Sequence, residues 1–209
     1  VVGWVKLSEL LSRLNRLKLI PRTGWLFCSV SPVQVEDVAQ HSFEVATITM
    51  FLLDELERDG KKLDRGRAIS ISLLHDWAEA EVADFPYTAL KYLRSPSSKQ
   101  RVEYSALQEL LEGRPEKGKY LALWKEYKDK QTPESRLVRS ADYLSMLVQA
   151  IKYREQGISS QELGELWRTV KGDLTPYIKE FKAVSRLVNE LNSRFQRRRQ
   201  LFKTAVIIS

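Results

Sequence analysis

Residues 73–86 read LLHDWAEAEVADFP. Apolar side chains at Ala68, Ile69, Ile71, Leu73 and Leu74 lead into this stretch and predict a helix from about Asp64 to Trp77. The adjacent pair His75 and Asp76 therefore stands at the end of an apolar segment. The chain has only 2 histidines, His41 and His75, and both read as metal ligands. A neutral imidazole offers one nitrogen lone pair and a carboxylate offers hard oxygens, a mixture that suits first-row divalent metals. Glu79 follows His75 by four positions, so the two share a face if the helix continues. That spacing places a carboxylate where it can steer or deprotonate a water beside the metal.

Toward the N-terminus, Trp4, Leu7, Leu10, Leu11, Leu14 and Leu17 form a helical stripe over residues 4–19, and Pro21 ends it. The following RTGWLFCSVSPVQVE is expected to be a loop, with Gly24 and Pro32 as breakers. Asp37 is the N-cap candidate for a helix carrying Val38, His41, Val45, Ile48, Leu52 and Leu56 at three- and four-residue spacing. His41 thus lies on a buried stripe. Residues 78–93, with Asp84 and Pro86, are expected to be a loop and a short helix. Further helices are expected at about 97–111 and 120–128. Another starts at Thr132-Pro133-Glu134 and carries Leu137, Val138, Ala141, Leu144, Leu147, Val148 and Ile151, with Asp142 beside the stripe. Segments 160–170 and 176–202 complete an all-α reading without strand alternation or repeats. One domain is expected over 1–209, with a motif-bearing core of about 11–155 and C-terminal helices at about 159–203.

Four candidate ligands, His41, His75, Asp76 and Asp142, come from three separate helices, so no local loop site is possible. Such a centre needs a helical core that brings distant segments together. A lone histidine on an apolar face is commonly a satisfied core residue. An aspartate embedded in an apolar helix is harder to dismiss, because an unpaired buried carboxylate costs several kcal/mol.

The net charge of +7 favours anionic partners without choosing between a small nucleotide and a nucleic acid. The single cysteine, Cys28, excludes an intrachain disulfide and leans toward a reducing compartment. The longest apolar run, 45–53, is too short to span a bilayer, and the beginning VVGWVKLSELL lacks the features of a signal peptide. No membrane association is expected, and the cytoplasm is the expected location.

The order H…HD…D resembles the HD superfamily of metal-dependent phosphohydrolases. RLKLIPRTGW, VEDVAQHSFEVA, LLHDWAEAEVADFP and LWKEYKDKQTPESRLVRSADYLSML are similar to successive motifs of its 5′-deoxynucleotidase family, in the archaeal and eukaryotic branch with the PRTGW loop. The resemblance implies a compact all-α HD-domain fold, homodimers, and one divalent transition metal (Co, Mn, Fe, Ni or Zn). It also implies hydrolysis of deoxynucleoside 5′-monophosphates to deoxynucleoside and phosphate. By position it makes His41, His75, Asp76 and Asp142 the metal ligands and Glu79 and Asp84 the catalytic acids. Arg22 becomes the phosphate-binding arginine, with a planar fork suited to a phosphate dianion. Trp25, in the same loop, is read as packing against sugar or base or, equally, as a core or lid aromatic. Which of Glu79 and Asp84 is the base stays open. Glu103 and Glu134 fall at acidic positions of the family and are read as structural or as supports around the metal ligands.

Two positions depart from the family pattern: Gln40 where an acid usually precedes the histidine, and Ala83 where Gly often precedes the acid. Alternative functions are an HD enzyme for a larger nucleotide (guanosine tetraphosphate or a nucleoside triphosphate), an inactive family member, or a nucleic-acid module. The last would use the basic cluster of Arg194, Arg197, Arg198, Arg199 and Lys203, although a charged helix end is the plainer account and nucleic acid is not the expected partner. Trp124, Tyr127 and Trp167 on short helices add a hint of surplus apolar surface for a dimer.

Overall fold

Short polar side chains start the helices of this chain. Asp37 accepts the amide of Gln40 while the Gln40 side chain accepts the amide of Asp37, a reciprocal cap that begins α2 (Val38–Arg58). Asp64 accepts the amide of Arg67 at the start of α3 (Arg65–Leu74). Thr132 and Ser135 form a second reciprocal cap at α7 (Pro133–Glu155), whose first residue is a proline. Ser160 caps α8 (Gln161–Asp173). The computed structural model describes residues 6–86, 89, 92, 93, 95 and 97–207, with side chains as far as residue 196. The remaining helices are α1 (Leu7–Leu14), α4 (Glu79–Val82), α5 (Ser97–Leu110), α6 (Lys117–Asp129), α9 (Thr175–Glu180) and α10 (Lys182–Ile207). There is no strand among the described residues; Pro21 and Asp37 make an isolated antiparallel bridge.

The helix α7 runs through the middle, packed against α2, α3, α6, α8, α9 and α10. Its Leu137, Ala141, Leu144, Leu147 and Ala150 meet Val45, Leu52 and Leu56 of α2 and Ile71 and Leu74 of α3 in one continuous core that extends to Phe195 of α10. Each fully buried Leu or Ile contributes about 1.5–3 kcal/mol, so α2, α3 and α7 form a rigid frame. His41, Asp142 and the end of α3 hang on that frame.

Local geometry departs from the sequence expectations in several places. The first helix ends at Leu14 and tightens into a 3-10 turn, Asn15–Lys18. The expected loop after Pro21 contains a 3-10 helix, Thr23–Cys28. The helix before the His-Asp pair stops at Leu74, and the chain continues through three-residue-spaced bonds such as Trp77 to Leu74 and Glu79 to Asp76. The last expected helix is two, broken at Phe181, which is extended in backbone and fully buried. Trp124, Tyr127 and Trp167 belong to the core, which corrects their reading as surplus surface: their helices are short, but all three rings point inward. No helix of the described residues is long and apolar enough to cross a membrane. Trp4, most of 87–96, and the side chains of Arg197, Arg198, Arg199 and Lys203 lie outside the described residues; Arg194 pairs with Glu155 at 3.0 Å.

A candidate metal centre

The frame brings His41 from α2, the His75-Asp76 pair from the end of α3, and Asp142 from α7 to one point. Ligand-type atoms of His41, His75 and Asp142 all lie within 4.8 Å of one another, and all three residues are buried. Asp76 Oδ2 stands 3.1 Å from His75 Nε2 and 3.7 Å from His41 Nε2, and Asp142 Oδ1 is 3.2 Å from His41 Nε2. Neither Nε2 atom has a hydrogen-bond partner.

The other ring nitrogens explain this orientation. His75 Nδ1 lies 2.7 Å from the carbonyl of Ser72, in the last turn of α3, where a helix end leaves carbonyls without amide partners. His41 Nδ1 lies 3.0 Å from Ser145 Oγ, and that hydroxyl donates to the carbonyl of Asp142. In both rings Nδ1–H is therefore the donor, and the Nε2 lone pair is turned to the centre. Tyr127 and Arg139 both donate to Asp142 Oδ2, at 2.7 and 3.0 Å, which leaves Oδ1 facing the histidines. Burial would raise the Asp142 carboxyl, but the adjacent His41 imidazole and then the Arg139 guanidinium hold it far below the usual carboxylate range. Burial keeps Tyr127 a neutral phenol and hence a donor. Two buried, unpartnered imidazole lone pairs beside ionised carboxylates form a donor set that fits a divalent cation.

A second layer lies beside this centre. Arg22 Nη1 is 3.3 Å from Asp84 Oδ1, 3.5 Å from Asp76 Oδ2 and 4.0 Å from Glu79 Oε2. Its side chain is largely buried. Asp84 also accepts from the Thr23 amide and hydroxyl, at 2.6 and 2.7 Å, so it caps the 3-10 helix Thr23–Cys28 while holding Arg22. Glu79 differs: it is 2% exposed and its Oε2 has no hydrogen-bond partner. Burial, then the charges of Asp76 and Asp84, push its carboxyl well above the usual range against the pull of Arg22.

Trp25 does not reach this layer. It is 3% exposed, its Nε1 donates to Glu36 at 2.7 Å, and its ring meets Tyr153 edge-on at 5.1 Å. Glu134 accepts the amide of Asp64, and Glu103 is clamped by Lys99 and Lys128. Gln40 turns out to be half of the cap on α2, while Ser145 supports His41. Ala83 takes φ 61° and ψ 172°, a region that is essentially restricted to glycine. The residues that orient the centre, Ser72, Tyr127, Arg139 and Ser145, escape the sequence reading. A signal was present for two of them: Arg139 and Ser145 flank Asp142 at three positions, the spacing of helix-face neighbours.

Residues 14–190 match the family model described as HD domain. The 5′-deoxynucleotidase HDDC2 of Dictyostelium discoideum is 35% identical over 150 residues, which cover 68% of this chain and 74% of that protein. The 5′-deoxynucleotidase HDDC2 of Xenopus laevis is 29% identical over 191 residues, covering 90% and 88%. Among solved structures, a conserved hypothetical protein from Pyrococcus furiosus superposes with a TM-score of 0.72 at 34% identity, covering 91% of this chain and 99% of that one.

Proposed function

The chain belongs to the HD-domain family, and from that premise we propose that it is a metal-dependent phosphohydrolase cleaving deoxynucleoside 5′-monophosphates to deoxynucleoside and phosphate. The observation that carries this reading is the convergence of two unpartnered, buried Nε2 atoms with Asp142. His41, His75, Asp76 and Asp142 would hold the cation. When bound, a divalent cation supplies Lewis-acid polarisation of phosphoryl oxygens and makes water more acidic. Arg22 binds and orients the phosphate through its guanidinium fork and adds positive charge where negative charge develops. Asp84, saturated by Thr23 and Arg22, positions that arginine. Glu79, with an unpartnered oxygen and a raised proton affinity, carries the proton that moves during hydrolysis.

Phosphate release from ribo- and deoxynucleoside monophosphates, across a Co, Mn, Fe, Ni and Zn series, tests the reading. The expected result is metal-dependent release that favours deoxynucleotides; no release with any metal overturns it. As parts of the same reading the chain acts as a single domain and a homodimer in the cytoplasm. Phe43 and Phe51, 73% and 58% exposed on α2, offer apolar surface for a second copy, and sedimentation at micromolar concentration checks it. The buried free thiol of Cys28 suits a reducing compartment.

A further inference from the structure

Arg22 is not the only cation on which the charges of this site's carboxylates act. Lys99 stands in the first turn of α5, the helix packed on α4, which carries Glu79. Its Nζ lies 3.4 Å from Glu103 Oε1, and the other oxygen of Glu103 is held at 2.8 Å by Lys128 of α6. Lys128 is itself fixed over the Trp124 ring, 5.0 Å from its centroid. One buried carboxylate thus lies between two ammonium groups, and the arrangement keeps a surplus positive charge. Burial opposes the Lys99 charge, while Glu103 and then Glu79, Asp76 and Asp84 sustain it. The last three are the carboxylates that surround Arg22. The Lys99 side chain is 27% exposed, so the ammonium is partly open to the outside. An ammonium has three donors, and the contact with Glu103 uses one.

We propose that Lys99 is a substrate-binding residue, the second cation beside Arg22 that grips the phosphoryl group. Glu103 and Lys128 set its position. The proposal rests on the phosphohydrolase reading above. A point charge on a flexible stem complements the rigid guanidinium fork: Arg22 fixes orientation, and Lys99 adds charge from the α5 side.

The test compares metal-loaded wild type, Lys99→Met and Lys99→Arg. Calorimetric titration with inorganic phosphate, and separately with a deoxynucleoside, is set beside KM and kcat. Lys99→Met should weaken phosphate binding by about ten- to a hundredfold, the effect of deleting one charge-assisted hydrogen bond, and raise KM in step. Deoxynucleoside affinity should stay unchanged, and Lys99→Arg should restore most of the phosphate affinity. If Lys99→Met does not fold, Lys99→Gln, which keeps a hydrogen-bonding head without the charge, carries the same test. Unchanged phosphate affinity, an equal loss of deoxynucleoside affinity, or a wild type that binds no phosphate overturns the proposal. Absence of turnover in wild type would instead sink the phosphohydrolase reading, since the phosphate titration needs no turnover and still decides the role of Lys99.

Discussion

Glu79→Gln keeps the shape of the side chain and removes its charge, and its consequences are twofold. In the metal-free protein Glu79 is buried beside Asp76 and Asp84, and its proton affinity is raised well above the ordinary carboxyl value of 4.5. Between that value and the raised one, the native state binds a proton that the unfolded chain has released. Stability contributed by this group is fully present below the ordinary value and falls as pH rises through the window, by up to about 1.4 kcal/mol per pH unit. Glutamine has no such proton, so its stability relative to wild type should climb over the same window. Glu44, raised to about 7 by burial and then by Glu36, titrates nearby but is common to both proteins and cancels. Asp76 and Asp142, both held low, act below the window. Urea unfolding of chelator-treated protein at pH 5, 6 and 7 measures the difference. In the metal-loaded enzyme, turnover should drop by about 10²–10⁴, the contribution of a positioned acid or base, with KM little changed. A stability difference that is flat from pH 5 to 7, together with near-normal kcat, would refute the reasoning and make Asp84 the leading proton carrier.

Three further outcomes are expected. Tyr127→Phe removes the 2.7 Å donor to Asp142 and should lower metal affinity by about 10–100-fold, read by competition with a chelating dye; unchanged affinity would mean that Arg139 alone holds the carboxylate. Arg22→Ala should raise KM and lower kcat without loss of metal, because it takes positive charge away from carboxylates that face the centre; metal analysis showing depletion would argue against a phosphate-binding role. Ala83→Gly should relieve backbone strain of about 1–3 kcal/mol, partly offset by the extra freedom of glycine in the unfolded chain, about 1 kcal/mol. A melting temperature higher by roughly 2–4 °C per kcal/mol gained is the expected reading, and a lower one would show that Ala83 is unstrained.

The helices were legible because their signals are local. Asp37 and Thr132 announce helix starts, and the three- and four-residue spacing around His41 and Asp142 places both on buried stripes. Periodicity reports that a side chain is buried but not against what. Trp25 therefore read equally as a contact to sugar or base and as a core aromatic, and only its indole N–H, engaged by Glu36, decides for the core; Trp124, Tyr127 and Trp167 read as surplus surface while filling the core. The burial of Arg22 was not legible because the three carboxylates around it arrive from 54 to 62 positions away in the chain, beyond the reach of any local pattern. The end of α3 at Leu74 was hidden because His75 and Ala78 keep nearly helical angles while the hydrogen-bond spacing changes.

The two histidines are supported by different kinds of partner. A main-chain carbonyl, that of Ser72, orients His75, whereas a side-chain hydroxyl, that of Ser145, orients His41. No single codon change can delete a carbonyl, so the His75 half of the centre is insulated from mutation by the course of the backbone itself. The His41 half is adjustable: Ser145→Ala, Ser145→Thr or Ser145→Cys would each change the basicity or aim of one imidazole and leave the other alone. Drift in this lineage, or selection in the laboratory for a different metal preference, therefore has a ready dial at position 145 and none at position 72.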